Sequence, residues 1–100
     1  MKITEKQPVT PGTILFEKFI EPNGLSQEYL AKSIKVARRR INEIINGKRS
    51  ITSDTALRLA HLFNTTPEYW LNLQMKYDLW KELHLNKLKQ KLKTIKPLRK

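Results

Sequence analysis

The sequence contains no cysteine among its 100 residues. This absence excludes a disulfide framework, thiolate metal sites and thiol catalysis. Long apolar runs are also missing, since none approaches the roughly 18 residues that a membrane-spanning helix requires. The first ten residues hold no apolar segment of the kind found in signal peptides. The length of the chain predicts one domain. The absence of cysteine leaves the compartment open, with the cytoplasm as the default, and we expect no membrane partner.

Acidic residues are scarce as well. Nine Asp and Glu stand against twenty Lys and Arg, which gives a formal net charge of +11. The excess is largest at the end of the chain, where residues 81–100 hold eight basic side chains and one acidic one. So basic a chain indicates a polyanionic partner, namely DNA, RNA or an anionic membrane surface, and charge alone does not choose among them.

Patterns that indicate catalysis are absent. The chain has no paired carboxylates, no nucleophile next to a base, no glycine-rich phosphate loop and no metal-ligand spacing. We interpret its two histidines, His61 and His84, as surface or half-buried structural residues. The sequence therefore predicts neither an enzyme nor a bound cofactor.

Prolines and capping residues divide the chain into helices. Thr10 and Thr66 each precede a proline, an order typical of a helix start, because proline at the first helical position has no N–H to leave unpaired. We predict an all-α fold with five helices: Pro11 to about Ile20, a Ser26-capped helix to about Ile34, Ala37 to Asn46, a helix from after Thr52 to about Phe63, and a long helix from Pro67 into the low nineties.

Three regions follow from this division. Residues 1–9 are predicted to be irregular, residues 10–85 to form the domain, and residues 86–100 to form a basic tail in which helix is favoured over strand. Apolar spacing assigns the inward faces of two helices. For the first helix these are Leu15, Phe16, Phe19 and Ile20, and for the fourth they are Ala56, Leu57, Leu59, Ala60 and Phe63.

The most informative stretch is residues 25–49. Counted from Gln27, its small and aliphatic residues occupy positions 4, 5, 8, 10, 15 and 18, which are Leu30, Ala31, Ile34, Val36, Ile41 and Ile44. This spacing is that of a helix-turn-helix, in which a small residue allows two steeply crossed helices to approach and aliphatics fill the wedge between them. The second helix then stands free to enter a major groove of DNA.

The exposed face of that second helix carries groups suited to base edges. The planar guanidinium of arginine matches O6 and N7 of guanine, and the asparagine amide matches N6 and N7 of adenine. We expect Arg38, Arg39 and Asn42 to reach bases, with Arg40 flanking the same face. Gln27, Lys48 and Arg49 are expected to contact phosphates.

The fifth helix has more apolar surface than one small core requires. One stripe consists of Trp70, Leu73, Tyr77 and Trp80, and a second, about 100° away, of Leu71, Met75, Leu79 and Leu83. We predict that one stripe covers the core and that the surplus one forms a dimer interface. The first stripe is the candidate interface, the choice between the stripes stays open, and a thicker local core is the alternative.

Five segments carry a more specific signal: TPG at 10–12, EPNGLSQ at 21–27, RRRINEIINGKR at 38–49, ITSDTALRLA at 51–60 and TPEYWLNLQ at 66–74. Together they resemble the HigA-type antitoxins of bacterial toxin–antitoxin operons, within the Cro/phage-repressor class of helix-turn-helix proteins. The resemblance covers about residues 10–80. Thr10 and Thr13 stand where the family usually has His and Glu, and Lys35 replaces the usual turn glycine.

The resemblance implies a five-helix, lambda-repressor-like domain that works as a homodimer on the nucleoid. It also implies a palindromic operator in the chain's own promoter and a cognate mRNA-cleaving toxin that complex formation neutralises. The alternative is a stand-alone transcriptional regulator of the same fold without a toxin. A third reading gives the lysine-rich tail a separate role on RNA or a membrane.

Overall fold

A computed structural model describes residues 6–98 of the chain. This part of the chain is helical and contains no strand, so the prediction of an all-α fold is confirmed. The predicted irregular segment 1–9 and basic tail 86–100 each extend beyond the described residues. The helices are α1 (Pro11–Ile14), which continues as a π-helical segment (Leu15–Ile20), α2 (Gln27–Ile34), α3 (Arg38–Ile45), α4 (Ser53–Phe63), α5 (Pro67–His84) and α6 (Leu88–Leu92).

The first helix begins at its predicted cap and then widens. Thr10 caps it, because its side chain accepts a hydrogen bond from the Thr13 N–H. The turns that follow are π-helical, and the Glu21 N–H donates to the Phe16 carbonyl five residues back at 2.9 Å. Leu15 and Ile20, which are also five residues apart, are both buried. The wider turn leaves Phe16 exposed, so its predicted inward position is wrong.

The core is built around Trp70, which is fully buried. Its ring lies 4.7 Å from that of Phe19 by centroid distance. Its indole N–H donates to the Thr65 hydroxyl at 2.8 Å, which satisfies the one polar group of the side chain. Aliphatic residues from α2, α3 and α4 complete this core.

Helix α4 buries a different residue from the one predicted. Ala56, Leu59 and Ala60 face the core as expected, but Thr55 is buried and Leu57 is 58% exposed. The prediction for Leu57 is therefore wrong. A threonine at this position keeps its hydroxyl within 3.4 Å of the Arg40 guanidinium, so burial does not leave it without a partner.

Helix α5 ends at His84, well before the predicted low nineties. The Asn86 N–H donates to the Lys81 carbonyl at 3.0 Å, and Lys87 adopts a left-handed conformation with φ of 58°. This closing turn separates α5 from the short α6. The tail is helical over α6, as favoured over strand. No described helix is both long enough and apolar enough to span a membrane.

Candidate nucleic-acid interface

Helices α2 and α3 form the predicted helix-turn-helix. Ser26 caps α2, its hydroxyl accepting from the Tyr29 N–H at 3.0 Å. Lys35 ends α2 in a left-handed conformation with φ of 60°, a position that costs a non-glycine residue about 1 kcal/mol or more. The Val36 N–H then donates to the Ala31 carbonyl at 2.9 Å, which closes the turn. Ala31 itself is 2% exposed, as a point of close helix approach requires.

Helix α3 divides cleanly into two faces. Ile41 and Ile44 are buried against the core. Arg38, Arg39 and Asn42 are exposed on the other side. Because two buried isoleucines fix the rotation of the helix, these three polar side chains face solvent together, on the side of the helix that was predicted to be exposed.

A short chain of amides joins the two helices across this surface. The Asn42 amide donates to the Gln27 side-chain oxygen at 3.2 Å, and the Asn46 amide donates to the Asn42 side-chain oxygen, also at 3.2 Å. The start of α2 and the middle of α3 are thus in contact through side chains that both belong to the predicted site. Gln27 is half-buried and Asn42 is exposed, so Asn42 remains accessible.

Glu43 holds two of the predicted DNA-contacting arginines. The Arg39 Nε donates to one carboxylate oxygen at 3.0 Å, and the Arg49 Nε donates to the other at 2.8 Å. Hydrogen bonds from Arg49 first, and then from Arg39, hold the pKa of the Glu43 carboxyl below its ordinary value of 4.5. Glu43 was not predicted as a site residue, although its spacing of four from Arg39 is the ordinary signal for a helical ion pair.

Arg40 is directed away from this surface. Its guanidinium forms an ion pair with Asp54 of α4 at 2.8 Å. Asp54 also accepts from the Arg58 Nε at 2.8 Å, and Arg58 in turn donates to the Ile34 carbonyl at the end of α2 at 2.7 Å. The geometry therefore places Arg40 at the contact between α3 and α4, and its predicted contact with DNA stays a prediction.

The loop after α3 presents the remaining predicted cations. Gly47 takes a left-handed conformation with φ of 74°, as expected of the residue that ends this helix. Lys48 is exposed, and its side chain has no hydrogen bond or ion pair within residues 6–98, while its backbone N–H donates to the Glu43 carbonyl at 2.8 Å. The loop is anchored to α5, because the Ile51 N–H donates to the Gln74 side-chain oxygen at 2.8 Å.

Gly12 positions α3 in a way that the sequence did not reveal. A Cβ added at this residue would clash with the carbonyl oxygen of Ile44 and would lie 2.8 Å from the Cα of Ile45. The first helix and the end of α3 therefore touch through their backbones. In the sequence, Gly12 is informative only as part of the segment that resembles the family, because residue spacing does not indicate a contact between two backbones.

The two stripes of α5 differ in exposure. Trp70 is fully buried and Trp80 is 9% exposed, while Leu73 packs partly buried against the core. The first stripe thus faces the chain's own interior, and its assignment to a dimer interface is wrong for Trp70, which has no surface left. Met75 and Leu79 of the second stripe are 50% and 43% exposed. They line an apolar groove with Leu71.

Neither histidine takes part in this surface. The His84 ring stacks on Trp80 with centroids 5.1 Å apart, and His61 is exposed on α4. In residues 6–98 no group of three or more His, Asp or Glu residues could hold a metal ion.

Comparison with known proteins identifies the family. A family model described as Helix-turn-helix matches residues 16–70. An uncharacterized HTH-type transcriptional regulator of Haemophilus influenzae is 41% identical over 92 residues, which cover 92% of this chain and 86% of that protein.

Two solved structures are similar over nearly their full length. An addiction module antidote protein of the HigA family from Coxiella burnetii is 45% identical, with a TM-score of 0.84 over 93% of this chain and 100% of that one. The antitoxin HigA of Pseudomonas aeruginosa, solved with the higBA promoter, is 36% identical, with a TM-score of 0.85 over 92% and 99%. The chain belongs to the helix-turn-helix family and, within it, to the HigA-type antitoxins, which are DNA-binding proteins and not enzymes.

Proposed function

We propose that the chain binds a palindromic operator in its own promoter as a homodimer, represses that operon, and neutralises a cognate mRNA-cleaving toxin while associated with the nucleoid. One observation carries the DNA-binding part. A helix fixed by buried isoleucines presents Arg38, Arg39 and Asn42 on a single exposed face. This is the arrangement that a major-groove reading helix requires.

The side chains divide by role. Arg38, Arg39 and Asn42 read base edges, where each bidentate pair is worth about 1–3 kcal/mol of discrimination. Lys48 and Arg49 contact the flanking phosphates, which supply affinity and salt dependence but no sequence choice. Gln27 contacts a phosphate at the start of α2 and orients Asn42 through their hydrogen bond.

Dimerisation would give the operator its symmetry. Met75 and Leu79, with Leu71 beside them, form the exposed apolar stripe of α5, and we propose that a second copy packs on it. Tyr77 and Trp80, which belong to the other stripe, are then outside the interface. Two α3 helices related by a two-fold axis would enter successive major grooves about 34 Å apart and would read an inverted repeat.

Toxin neutralisation is supported by the family membership. The Coxiella burnetii protein is described as an addiction module antidote. Co-expression with the neighbouring open reading frame tests this part. We expect a small protein to co-purify, to arrest growth when expressed alone, and to lose that effect in the complex.

A stand-alone transcriptional regulator is the second candidate function. The Haemophilus influenzae relative is described only as a transcriptional regulator, which favours this alternative. The same co-expression decides between the two. If the neighbouring product neither binds nor affects growth while operator binding persists, the regulator is correct and the antitoxin role is not.

A further inference from the structure

A polar cleft of about 120 Å³ lies between the start of the first helix, the loop after α3 and the second half of α5. Three cationic residues line it, Lys48 and Arg49 from the loop and Lys81 from α5, and no acidic residue does. Its volume is well above the roughly 15 Å³ that one water molecule needs. The cleft therefore joins two predicted phosphate-contacting residues to a lysine on another helix.

The positive charge in the cleft is only partly neutralised. Arg49 is paired with Glu43 at 2.7 Å. Lys48 and Lys81 form no ion pair within residues 6–98, and the Lys81 Nζ lies 5.4 Å from the centroid of the Tyr77 ring. Like charges around one cleft repel each other, and an anion between them relieves that repulsion.

Hydroxyl groups and a fixed frame complete the arrangement. Ser50 and Tyr77 also line the cleft, and their hydroxyls make no hydrogen bond within the described part of the chain. Gln74 uses both ends of its amide, accepting from the Ile51 N–H at 2.8 Å and donating to Asp78 at 2.9 Å. These bonds hold the loop against α5, so the cleft is formed before any ligand arrives.

We propose that this cleft is a phosphate-binding site, and that in the operator complex it takes a backbone phosphate next to the bases read by α3. That the ligand is a DNA phosphate depends on the proposed DNA binding, whereas the phosphate-binding site itself is argued from the residues of the cleft. Lys48 and Lys81 would neutralise the charge, and the Ser50 and Tyr77 hydroxyls would donate to phosphate oxygens. Helix α5 would thereby take part directly in DNA contact.

The first experiment measures DNA affinity against salt concentration for the full chain and for Lys81→Gln. We expect the variant to bind operator and scrambled DNA several-fold more weakly by the same factor, with a salt slope smaller by about one for each subunit of the proposed dimer. Tyr77→Phe should weaken binding without changing the slope. Lys76→Gln, an exposed lysine of α5 outside the cleft, is the matched control and should leave both quantities unchanged.

The second experiment distinguishes a DNA phosphate from a free one. Inorganic phosphate is titrated into the DNA-free protein at constant ionic strength, and backbone amide shifts are followed by NMR. Shifts at Ser50, Tyr77 and Lys81 that vanish in Lys81→Gln would establish the site itself. If they occur while the DNA salt slope of Lys81→Gln is unchanged, the occupant is a free phosphate ester and the backbone assignment is overturned.

If Lys81→Gln leaves the salt slope unchanged and phosphate causes no amide shifts, in a protein that still prefers its operator, the proposed phosphate-binding site is wrong. Failure of the unmutated protein to prefer its operator is a separate result. It would contradict the proposed function, and the phosphate titration would then show whether the cleft binds phosphate.

Discussion

At the scale of single residues, Glu43 stands out because it is the one acidic residue among five cations in the segment 38–49. Its two carboxylate oxygens hold Arg39 and Arg49. The pair geometry restricts both guanidinium groups before DNA is present, and the negative charge opposes phosphate. In the proposed DNA complex, Glu43 would therefore lower the affinity for DNA while it orders the exposed surface of α3.

Replacing Glu43 with Gln should raise the affinity for all DNA sequences. The variant removes a charge that repels phosphates and releases two arginines, so the salt slope should become steeper by about one unit for each subunit of the proposed dimer. Discrimination between operator and scrambled DNA should fall, because Arg39 loses the partner that orients it. Competition binding at two salt concentrations measures both effects, with the exposed Glu17→Gln as control. Unchanged discrimination would show that Glu43 does not order the surface.

Arg39→Ala tests base reading directly. We expect a loss of specific operator binding of about 1–3 kcal/mol and a relaxed base preference at one position, because one bidentate contact is removed. Binding to a panel of single-base operator variants measures this, and Lys18→Ala, on the first helix, is the control. A loss of equal size on every sequence in the panel would place Arg39 on the phosphate backbone instead.

At the scale of the helices, Gly12 decides how α1 meets α3. Gly12→Ala gains helix propensity, which alone would stabilise the fold by about 1 kcal/mol. The clash with the α3 backbone opposes this, and overpacking costs about 1–3 kcal/mol. We expect net destabilisation and weaker operator binding, measured by urea unfolding and DNA titration. Asn72→Ala, at an exposed helical position, serves as control, and a stabilised Gly12→Ala would refute the backbone contact.

Asp54 links three helices through Arg40 and Arg58. Hydrogen bonds from Arg58 first, and then Arg40, lower the pKa of its carboxyl from the ordinary value of 3.8. Since the folded-state pKa is depressed, the stabilisation is complete above the ordinary value of 3.8 and is lost as the pH falls from there through the lowered pKa.

The lowered pKa of Asp54 predicts how the stability of Asp54→Asn depends on pH. The variant should be less stable than the unmutated protein at neutral pH, and the difference should shrink once the pH falls below the ordinary carboxyl pKa of 3.8. Urea unfolding at several pH values measures it. A difference that stays constant as the pH falls well below that ordinary value would mean that the Asp54 charge does not contribute to stability.

The helix-turn-helix could be predicted from the sequence because the residues that define it lie close together in one stretch of the chain. Ser26, Ala31 and the buried isoleucines of α3 follow from capping and spacing within one stretch. The misassigned positions depend on features that a fixed helical period does not contain. Phe16 is exposed where the first helix widens into a π-helical segment. The ion pair between Arg40 and Asp54 of α4 likewise depends on a contact between helices that spacing within α3 does not contain.

Helix α5 shows the same limit. Its two apolar stripes are equivalent on a helical wheel, and only packing shows that Trp70 belongs to the interior while Met75 and Leu79 do not. The helix end near His84 is set by a turn at Asn86 and Lys87. This turn contains neither glycine nor proline, the residues that usually indicate a helix end, so the sequence predicted a longer helix.

At the scale of the whole molecule, the exposed stripe of α5 predicts the oligomeric state. Leu79→Lys should convert a dimer to a monomer in sedimentation at micromolar concentration, because it places a charge in an apolar interface, and should weaken palindrome binding. Leu57→Lys, at a leucine of similar exposure on α4, is the matched control and should remain dimeric. An unmutated protein that sediments as a sharp monomer would contradict the interface.

Tight, specific DNA binding is the claim on which the rest depends. The most direct measurement is the affinity of the unmutated protein for the inverted repeat in its own promoter and for a scrambled duplex of equal length, at one fixed salt concentration. We predict a preference of at least about a thousandfold, within the range of specific DNA-binding proteins. Equal affinity for the two duplexes would contradict the account.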